Sequence, residues 1–457
     1  MDAQTVEKIL GDFAAFMWGP PLIILLVGGG LFFLLYSRAT PYRHFPHALR
    51  VLRGDYDDPD DHGDINHFQA LSTALSGTLG MGNVAGVAVA IGLGGPGAIF
   101  WMWVTAVVGV ATKFFTATLA VMYRGRDSRG NLEGGPMYVI REALGRRWMP
   151  LAWLFAIAAL IGTTPIFQVN QLVQLVRDVF AIPAGLATAD DHFMFDLFFG
   201  LGLAALVFAV VIGHVHRVGA VTGRLVPSMV LIYLGITVFI LIRNYEKVTG
   251  ALALIFTDAF TGSAVAGGAV GSVIIMGIRR GAFSNEAGIG TESLAHGAAK
   301  TREPVREGMV AMLGPVIDTM IVCTCTALAI IVTDAWQMGD ADGITMTAKA
   351  FEAAIPGAGS YLLTFMVVLL GMSTIVSFWY YGTKCLGFLI GAEHQHHYVW
   401  VYCTLVVIGA VMSLEMVVGF VDGMYATMAI PTMVSALVLA PRVMKATKSY
   451  LKRHDLD

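Results

Sequence analysis

Runs of about twenty apolar residues recur along the whole length of this chain, and few architectures accept them. A run of that length crosses the hydrocarbon core of a bilayer as one helix. In lipid only helices and closed barrels pair every backbone N–H and C=O. Of the 457 residues, 56% are hydrophobic and only 13% are charged, where a soluble chain carries about a quarter. The expectation is an all-α polytopic membrane protein. A net charge of −3 and the lack of any basic tract argue against a nucleic-acid partner.

The runs divide into eleven expected spans: 15–36, 67–92, 98–123, 150–177, 194–213, 219–242, 260–298 (interrupted), 307–333, 359–383, 397–416 and 420–440. The opening MDAQTVEKILGDF lacks the basic stretch of a signal peptide, and the first apolar run is too long for one, so Phe16–Tyr36 is expected to stay as a span. Connections are short, which favours one membrane domain. Placing the N-terminus outside puts 22 of the 29 basic residues, Arg279 and Arg280 among them, on the cytoplasmic side. Lys8, Arg177, Arg243, Lys247 and Lys349 fall outside, while Lys113 and Arg224 lie within spans. The positive-inside rule then places the C-terminus in the cytoplasm. All four cysteines sit in apolar segments and suggest neither a metal site nor a disulfide framework.

Two spans interrupt themselves. GTLGMGNVAGVAVAIGLGGPG, Gly77–Gly97, carries Gly80, Gly82 and Asn83 inside the second span. Helix packing through small residues explains the four-residue spacing of Gly82 and Gly86, but not Gly80-Met81-Gly82-Asn83, which predicts unwound backbone. A break in lipid exposes polar groups that cost several kcal/mol each unless protein, water or a ligand meets them. A second irregular stretch, Gly267–Gly297, holds Gly277, Gly281, Ser284, Asn285, Glu286, Gly288 and Gly290. Each break opens a set of five spans, the pattern of an inverted-repeat transporter.

Here the sequence resembles the alanine/glycine:cation symporters. The carriers of the resemblance are GGPGAIFWMWVTAVVG (Gly94–Gly109), GNLEGGPMYVI (Gly130–Ile140), RRGAFSNEAGIGTESLAHGAAKTREPVREG (Arg279–Gly308) and the YYG at Tyr380–Gly382. It covers nearly everything after residue 65. It implies the LeuT-type fold, a 5+5 inverted repeat with one extra N-terminal helix. The divisions would be 1–65, the extra helix and a cytoplasmic loop; 66–243 and 254–441, the two repeats; and 442–457, a cytoplasmic tail. It also implies Na⁺ as coupling ion and a small neutral amino acid, alanine or glycine, as substrate. A bacterial or archaeal plasma membrane, crossed many times, would be the location.

Carried over residue by residue, the resemblance places the substrate carboxylate near the backbone of Gly80 and Gly82 and the side chain of Asn83. Gln168 would contribute an amide able to donate and to accept. Thr374 and Phe378, one helical turn apart, would line the pocket, with Phe283, Ser284 and Asn285 as further members. Ser373 and Thr374, with carbonyls near Ser76 and Leu79, would form the sodium site. Free amides at a half-helix N-terminus suit an anion, and neutral oxygens suit a hard monovalent cation. The chain departs from the family pattern at Thr164-Pro165-Ile166-Phe167, and at Ser377-Phe378-Trp379 with Thr383 after YYG, which alters pocket volume on two walls.

Intramembrane charges are functional candidates by default. Lys113 is expected to snorkel or pair, and Glu286 to carry a proton, close a gate or cap a helix. Arg224, Asp318, Glu415 and Asp422 are expected at interfaces. The histidines of AEHQHH and the acidic run DYDDPDDHGD are expected in solvated loops. A proton-coupled symporter, a channel and a transporter-shaped sensor are the alternatives. A pore would want rings of carbonyls or charge, and a hydrolase would want an HExxH or GxSxG motif, so the chain is not expected to be an enzyme.

Overall fold

Eight helices among the described residues are long and apolar enough to cross a membrane. A ninth span is the pair Thr5–Met17 and Pro20–Tyr36, bent by 47° where Gly19, Pro20 and Pro21 interrupt it. The computed structural model describes residues 3–58, 60–212, 216–260, 269–338 and 343–456. Of the two other expected spans, 397–416 forms only the 14-residue helix Tyr398–Val411. The interrupted 260–298 lies partly outside the described residues, which begin again at 269.

We label the elements around the interruptions α1, His67–Thr78; α2, Met81–Gly94; α3, Ala98–Met122; α4, Met149–Gly162; α5, Ile166–Val176; α6, Ala269–Asn285; α7, Glu292–His296; α8, Pro304–Val332; α9, Gly359–Ile390; and α10, Leu414–Arg453. α1 opens on a reciprocal cap. The Gln69 N–H donates to Asn66 Oδ1 at 2.8 Å, and the Asn66 N–H to Gln69 Oε1 at 3.1 Å. It ends at Leu79 (ψ 79°) and Gly80 (φ −143°, ψ −142°), after which α2 begins. Glycine is required at position 80, because a methyl there would collide with Thr374 Oγ1.

The second interruption is equally plain. α6 stops at Asn285 because Glu286 takes a positive φ of 54°, and Gly288 (83°) and Gly290 (101°) keep the chain out of helix until α7. A third interruption was not expected. The span Arg146–Ala181 divides at Thr163–Pro165, with proline at the entry to α5, where its missing N–H costs least. The departure from the family pattern at Thr164-Pro165 thus falls on this break.

Two further helices lie between spans. Tyr245–Asp258 occupies the junction of the two expected repeats. Gly343–Ala354 packs on α2, with Thr347 Oγ1 donating to the Val84 carbonyl at 3.1 Å and the Ile344 N–H to Gln171 Oε1 at 3.1 Å. That helix covers one end of the central helices. At the other end, the face carrying the C-terminus, a cavity of about 520 Å³ is lined by Asp64, Thr73, Glu133, Trp379, Tyr380 and Lys384 among others.

Candidate functional site

Across the first break, α9 supplies oxygens to α1. Thr374 Oγ1 lies 2.9 Å from the Ser76 carbonyl and 3.0 Å from the Leu370 carbonyl. Ser373 Oγ lies 2.8 Å from the same Leu370 carbonyl, and Ser76 Oγ donates to the Ser373 carbonyl at 2.9 Å. Ser76 and Thr374 are fully buried. Leu79 follows directly, with its backbone already turned out of the helix. The structure therefore brings Ser76, Ser373 and Thr374 together at the break beside Leu79. Sequence reasoning missed Leu370 and Ser377, whose Oγ donates to Ser76 Oγ at 2.9 Å. The signal was available: both lie one helical turn from the expected hydroxyl pair.

Asn83 has two commitments. Its Oδ1 accepts the Gly80 N–H at 3.0 Å and so closes the start of α2. Its Nδ2 faces Asp318, Ser284 Oγ (3.3 Å) and Cys323 Sγ (3.3 Å). Ser284 Oγ lies 3.1 and 3.0 Å from the two Asp318 oxygens, and Thr319 Oγ1 donates to Asp318 at 2.9 Å. Asp318 is fully buried near the middle of α8, on the π-helical turn Val316–Cys323 that follows Pro315. The expected interfacial placement is wrong for this residue: neutral donors from three helices surround the carboxylate. Asn285 also faces α8, donating to Thr319 Oγ1 at 3.3 Å, while its Oδ1 accepts the Ala287 N–H.

A small apolar wall lies alongside. A methyl on Gly82 would sit 3.4 Å from Phe283 Cδ1 and 3.6 Å from Ser284 Cα, so α2 and α6 touch there. Phe283 meets Phe167 (centroids 5.3 Å) and Tyr425 (4.9 Å). Phe378 is buried, but its ring partner is Tyr381 at 6.1 Å, not this group. Gln168 is buried with Oε1 lacking any hydrogen-bond partner, as is the hydroxyl of Thr164 before it. An unpaired buried amide oxygen costs about 1–3 kcal/mol.

At the second break Glu286 accepts from Thr291 Oγ1 and, at 3.0 Å, from Tyr425 Oη of α10. Glu292, fully buried, accepts from Thr116 Oγ1 of α3 at 3.0 Å. Charge pairs stand at both ends of the site. Arg279 and Arg280 both reach Asp422 of α10, the former at 2.5 Å. Both arginines lie on α6 rather than in a cytoplasmic loop, Arg280 buried and Arg279 partly exposed, and Asp422 is fully buried rather than interfacial. Towards the C-terminal face Glu307 bridges His67 and His296, each at 2.5 Å, and Lys384 pairs with Glu133 at the cavity.

With this geometry in view, comparisons with known proteins decide the family. A profile describing the Sodium:alanine symporter family matches residues 3–457. The chain belongs to that family. It is 38% identical to the sodium/alanine symporter AgcS of Methanococcus maripaludis, over 97% of each chain. It is also 38% identical to an uncharacterised transporter of Haemophilus influenzae, over 98% of this chain and 97% of that one. Identity to the probable sodium/glutamine symporter GlnT of Bacillus subtilis is 31%, over 98% and 92%. The crystal structure of MhsT in complex with L-phenylalanine matches with a TM-score of 0.56 at 13% identity, covering 84% of this chain and 98% of that one. This likeness shows the fold, which is the LeuT type. A sodium:alanine symporter family member is a multi-pass membrane protein and a secondary transporter, not an enzyme.

Proposed function

We propose that this member of the family couples Na⁺ to uptake of a small neutral amino acid, alanine or glycine, by alternating access. The observation that carries the reading is the oxygen cluster across the first break, where Thr374 Oγ1 spans the carbonyls of Ser76 and Leu370. Uncharged carbonyl and hydroxyl oxygens on two different helices are the donor set a sodium ion takes, and an ion there would tie α1 to α9. We assign Ser76, Leu79, Ser373 and Thr374 to that ion.

The substrate carboxylate is assigned to the start of α2. Gly80 and Asn83 cap each other, so the amides on offer are those of Met81 and Gly82, which have no carbonyl one turn earlier to bond. Gln168 supplies the unpaired amide oxygen, and Phe283, Ser284 and Thr374 complete the pocket, while Phe378 packs on Tyr381 away from it. Phe283 packs beside Gly82 at the start of α2, and the choice of alanine or glycine follows the family. The two repeats are taken as 66–243 and 254–441. The N-terminus is placed outside and the C-terminus in the cytoplasm, so the 520 Å³ cavity opens inward.

Uptake of radiolabelled alanine and glycine into proteoliposomes, with and without a sodium gradient, tests this. The expected result is saturable accumulation that collapses without inward sodium. Accumulation indifferent to sodium sinks it. A proton-coupled reading is favoured by the buried carboxylates Asp318 and Glu286, and accumulation driven by an imposed pH gradient in sodium-free medium would establish it instead.

A further inference from the structure

On the C-terminal face, the ends of the two broken helices are fastened to each other. Residues 62–65, which lead into α1, run beside 298–301, which follow α7. The Asp64 N–H donates to the Ala298 carbonyl at 2.9 Å, the Lys300 N–H to the Ile65 carbonyl at 2.6 Å, and the Thr301 N–H to the His62 carbonyl at 3.1 Å. Arg124, two residues past the end of α3, pins both segments. Its Nε donates to the Gly297 carbonyl at 2.6 Å, its Nη1 to those of Thr301 and His62 at 3.2 and 3.3 Å, and its Nη2 to that of Ala299.

The side chains bounding this strap meet on Glu307 of α8. His67, the first residue of α1, and His296, the last of α7, each bring Nδ1 to 2.5 Å from a different Glu307 oxygen. All three are buried, and Nε2 of His296 has no hydrogen-bond partner, so the hydrogen bonding of that ring rests on Glu307. Hydrogen bonds to an ionised carboxylate and from a guanidinium are the strong ones. The joint therefore has reason to part as a unit rather than fray.

Its position gives it a use. The 520 Å³ cavity is lined by Asp64, Ile65 and Ala298 of the strap and, on α1, by Thr73, one helical turn from Ser76 of the oxygen cluster. Widening the cavity as far as the first break means moving this end of α1, which the strap and Glu307 hold.

We propose that Glu307 with His67 and His296, and Arg124 with the strap, form the latch of the inner gate: the amino acid and the ion leave inward only when this latch parts. The inference rests on the alternating-access reading above and names the residues that set its inner gate.

Amide hydrogen exchange on the full chain in nanodiscs tests it, read at residues 62–67 and 296–301. In wild type, saturating sodium with alanine should slow exchange there at least threefold, because an ion tying α1 to α9 opposes the opening. Arg124→Lys keeps the charge and loses the fork, while Glu307→Gln keeps the shape and loses the charge. Each should speed exchange at least tenfold in both segments and leave the helix Gly343–Ala354, at the opposite end, unchanged. Equal acceleration at both ends, or an unchanged rate in the strap, would overturn the proposal. So would strap exchange blind to both ligands in a wild type that does accumulate alanine with sodium, which marks a static joint. If Glu307→Gln fails to fold, Arg124→Lys decides alone. Wild-type uptake indifferent to sodium would refute the symport reading, while the exchange rates of the variants still judge the latch without transport.

Discussion

The two helix breaks differ in what surrounds them. At the first, the groups that bond across the break are neutral: carbonyls of Ser76 and Leu370, hydroxyls of Ser76, Ser373, Thr374 and Ser377, and the amide oxygen of Asn83. At the second, Glu286 and Glu292 stand in the break or directly after it, with Asp318 and Lys113 on the helices packed against it. Neutral oxygens bind a monovalent cation without an added burial charge and release it without leaving one behind. A carboxylate cluster holds positive charge far more tightly and responds to pH. On the proposed function, the first break is the exchangeable ion position and the second holds the fixed charges beside it. Asn83 joins the two, with its Oδ1 on the first break and its Nδ2 on Asp318.

The bluntest way to break the comparison is to fill the first break. Gly80→Ala drives a methyl into Thr374 Oγ1, and displacement of about 1 Å at a positioned site costs roughly 100-fold in rate. Uptake should fall at least that far, whereas Gly250→Ala, which meets nothing within 4 Å, should transport normally. Comparable uptake in both variants would show that the break is not the transport site.

A paired substitution sharpens the difference. Thr374→Val removes the hydroxyl that spans two buried carbonyls, at a cost of about 1–3 kcal/mol. Sodium half-saturation should rise about tenfold with the pH profile unmoved. Asp318→Asn should instead alter the pH dependence of uptake. If Thr374→Val shifted the pH profile and Asp318→Asn did not, the division between neutral and charged regions would be reversed.

Gln168→Ala follows, with a smaller effect confined to the amino acid. Loss of one hydrogen bond to a charged group costs about 1.5–3 kcal/mol, so the substrate KM should rise at least tenfold while sodium half-saturation holds. An unchanged KM would mean that the unpaired Oε1 faces something other than substrate.

How much of this could be read from sequence divides along the same line. Glycine punctuation announces broken backbone, because Gly80, Gly288 and Gly290 have conformations or contacts a side chain forbids, and both expected interruptions are present. The adjacent hydroxyls Ser373 and Thr374 came from the family resemblance, which did not extend to Ser377 one turn on. Four charges were misplaced by hydropathy, whereas Glu415 is exposed in the first turn of α10 as expected. Arg279 and Arg280 pair with Asp422, and Asp318 finds neutral donors, inside the bundle, so a window average counts them near span ends while packing draws them inward. With the two arginines inside α6, the inward excess of basic residues is smaller than the sequence tally, though loop arginines such as Arg124 and Arg126 still lie on the C-terminal face. The kink at Thr163–Pro165 was visible as a departure from pattern, yet a single proline does not say whether a helix bends or restarts.

The weakest expected effect guards the comparison against a confusion of pH responses. His47, on the short helix Phe45–Leu52 outside the spans, is buried against Tyr56, Tyr450 and His454, with Nε2 2.7 Å from Tyr450 Oη. Burial, with Arg50 and neighbouring histidines adding repulsion, pushes its pKa down to about 4 from the ordinary 6.5. The unfolded chain therefore takes up a proton near pH 6.5 that the folded chain refuses. The stability His47 contributes is complete above that pH and is lost progressively as pH falls towards 4. Melting temperature should decline across this interval in wild type and decline less in His47→Gln. Sodium half-saturation in His47→Gln should keep the wild-type pH dependence, because the residue sits at the C-terminal end of α10, remote from both breaks. If removing His47 flattened the pH dependence of transport itself, the response assigned to Asp318 and Glu286 would belong to the scaffold, and the contrast between the two breaks would lose its charged half.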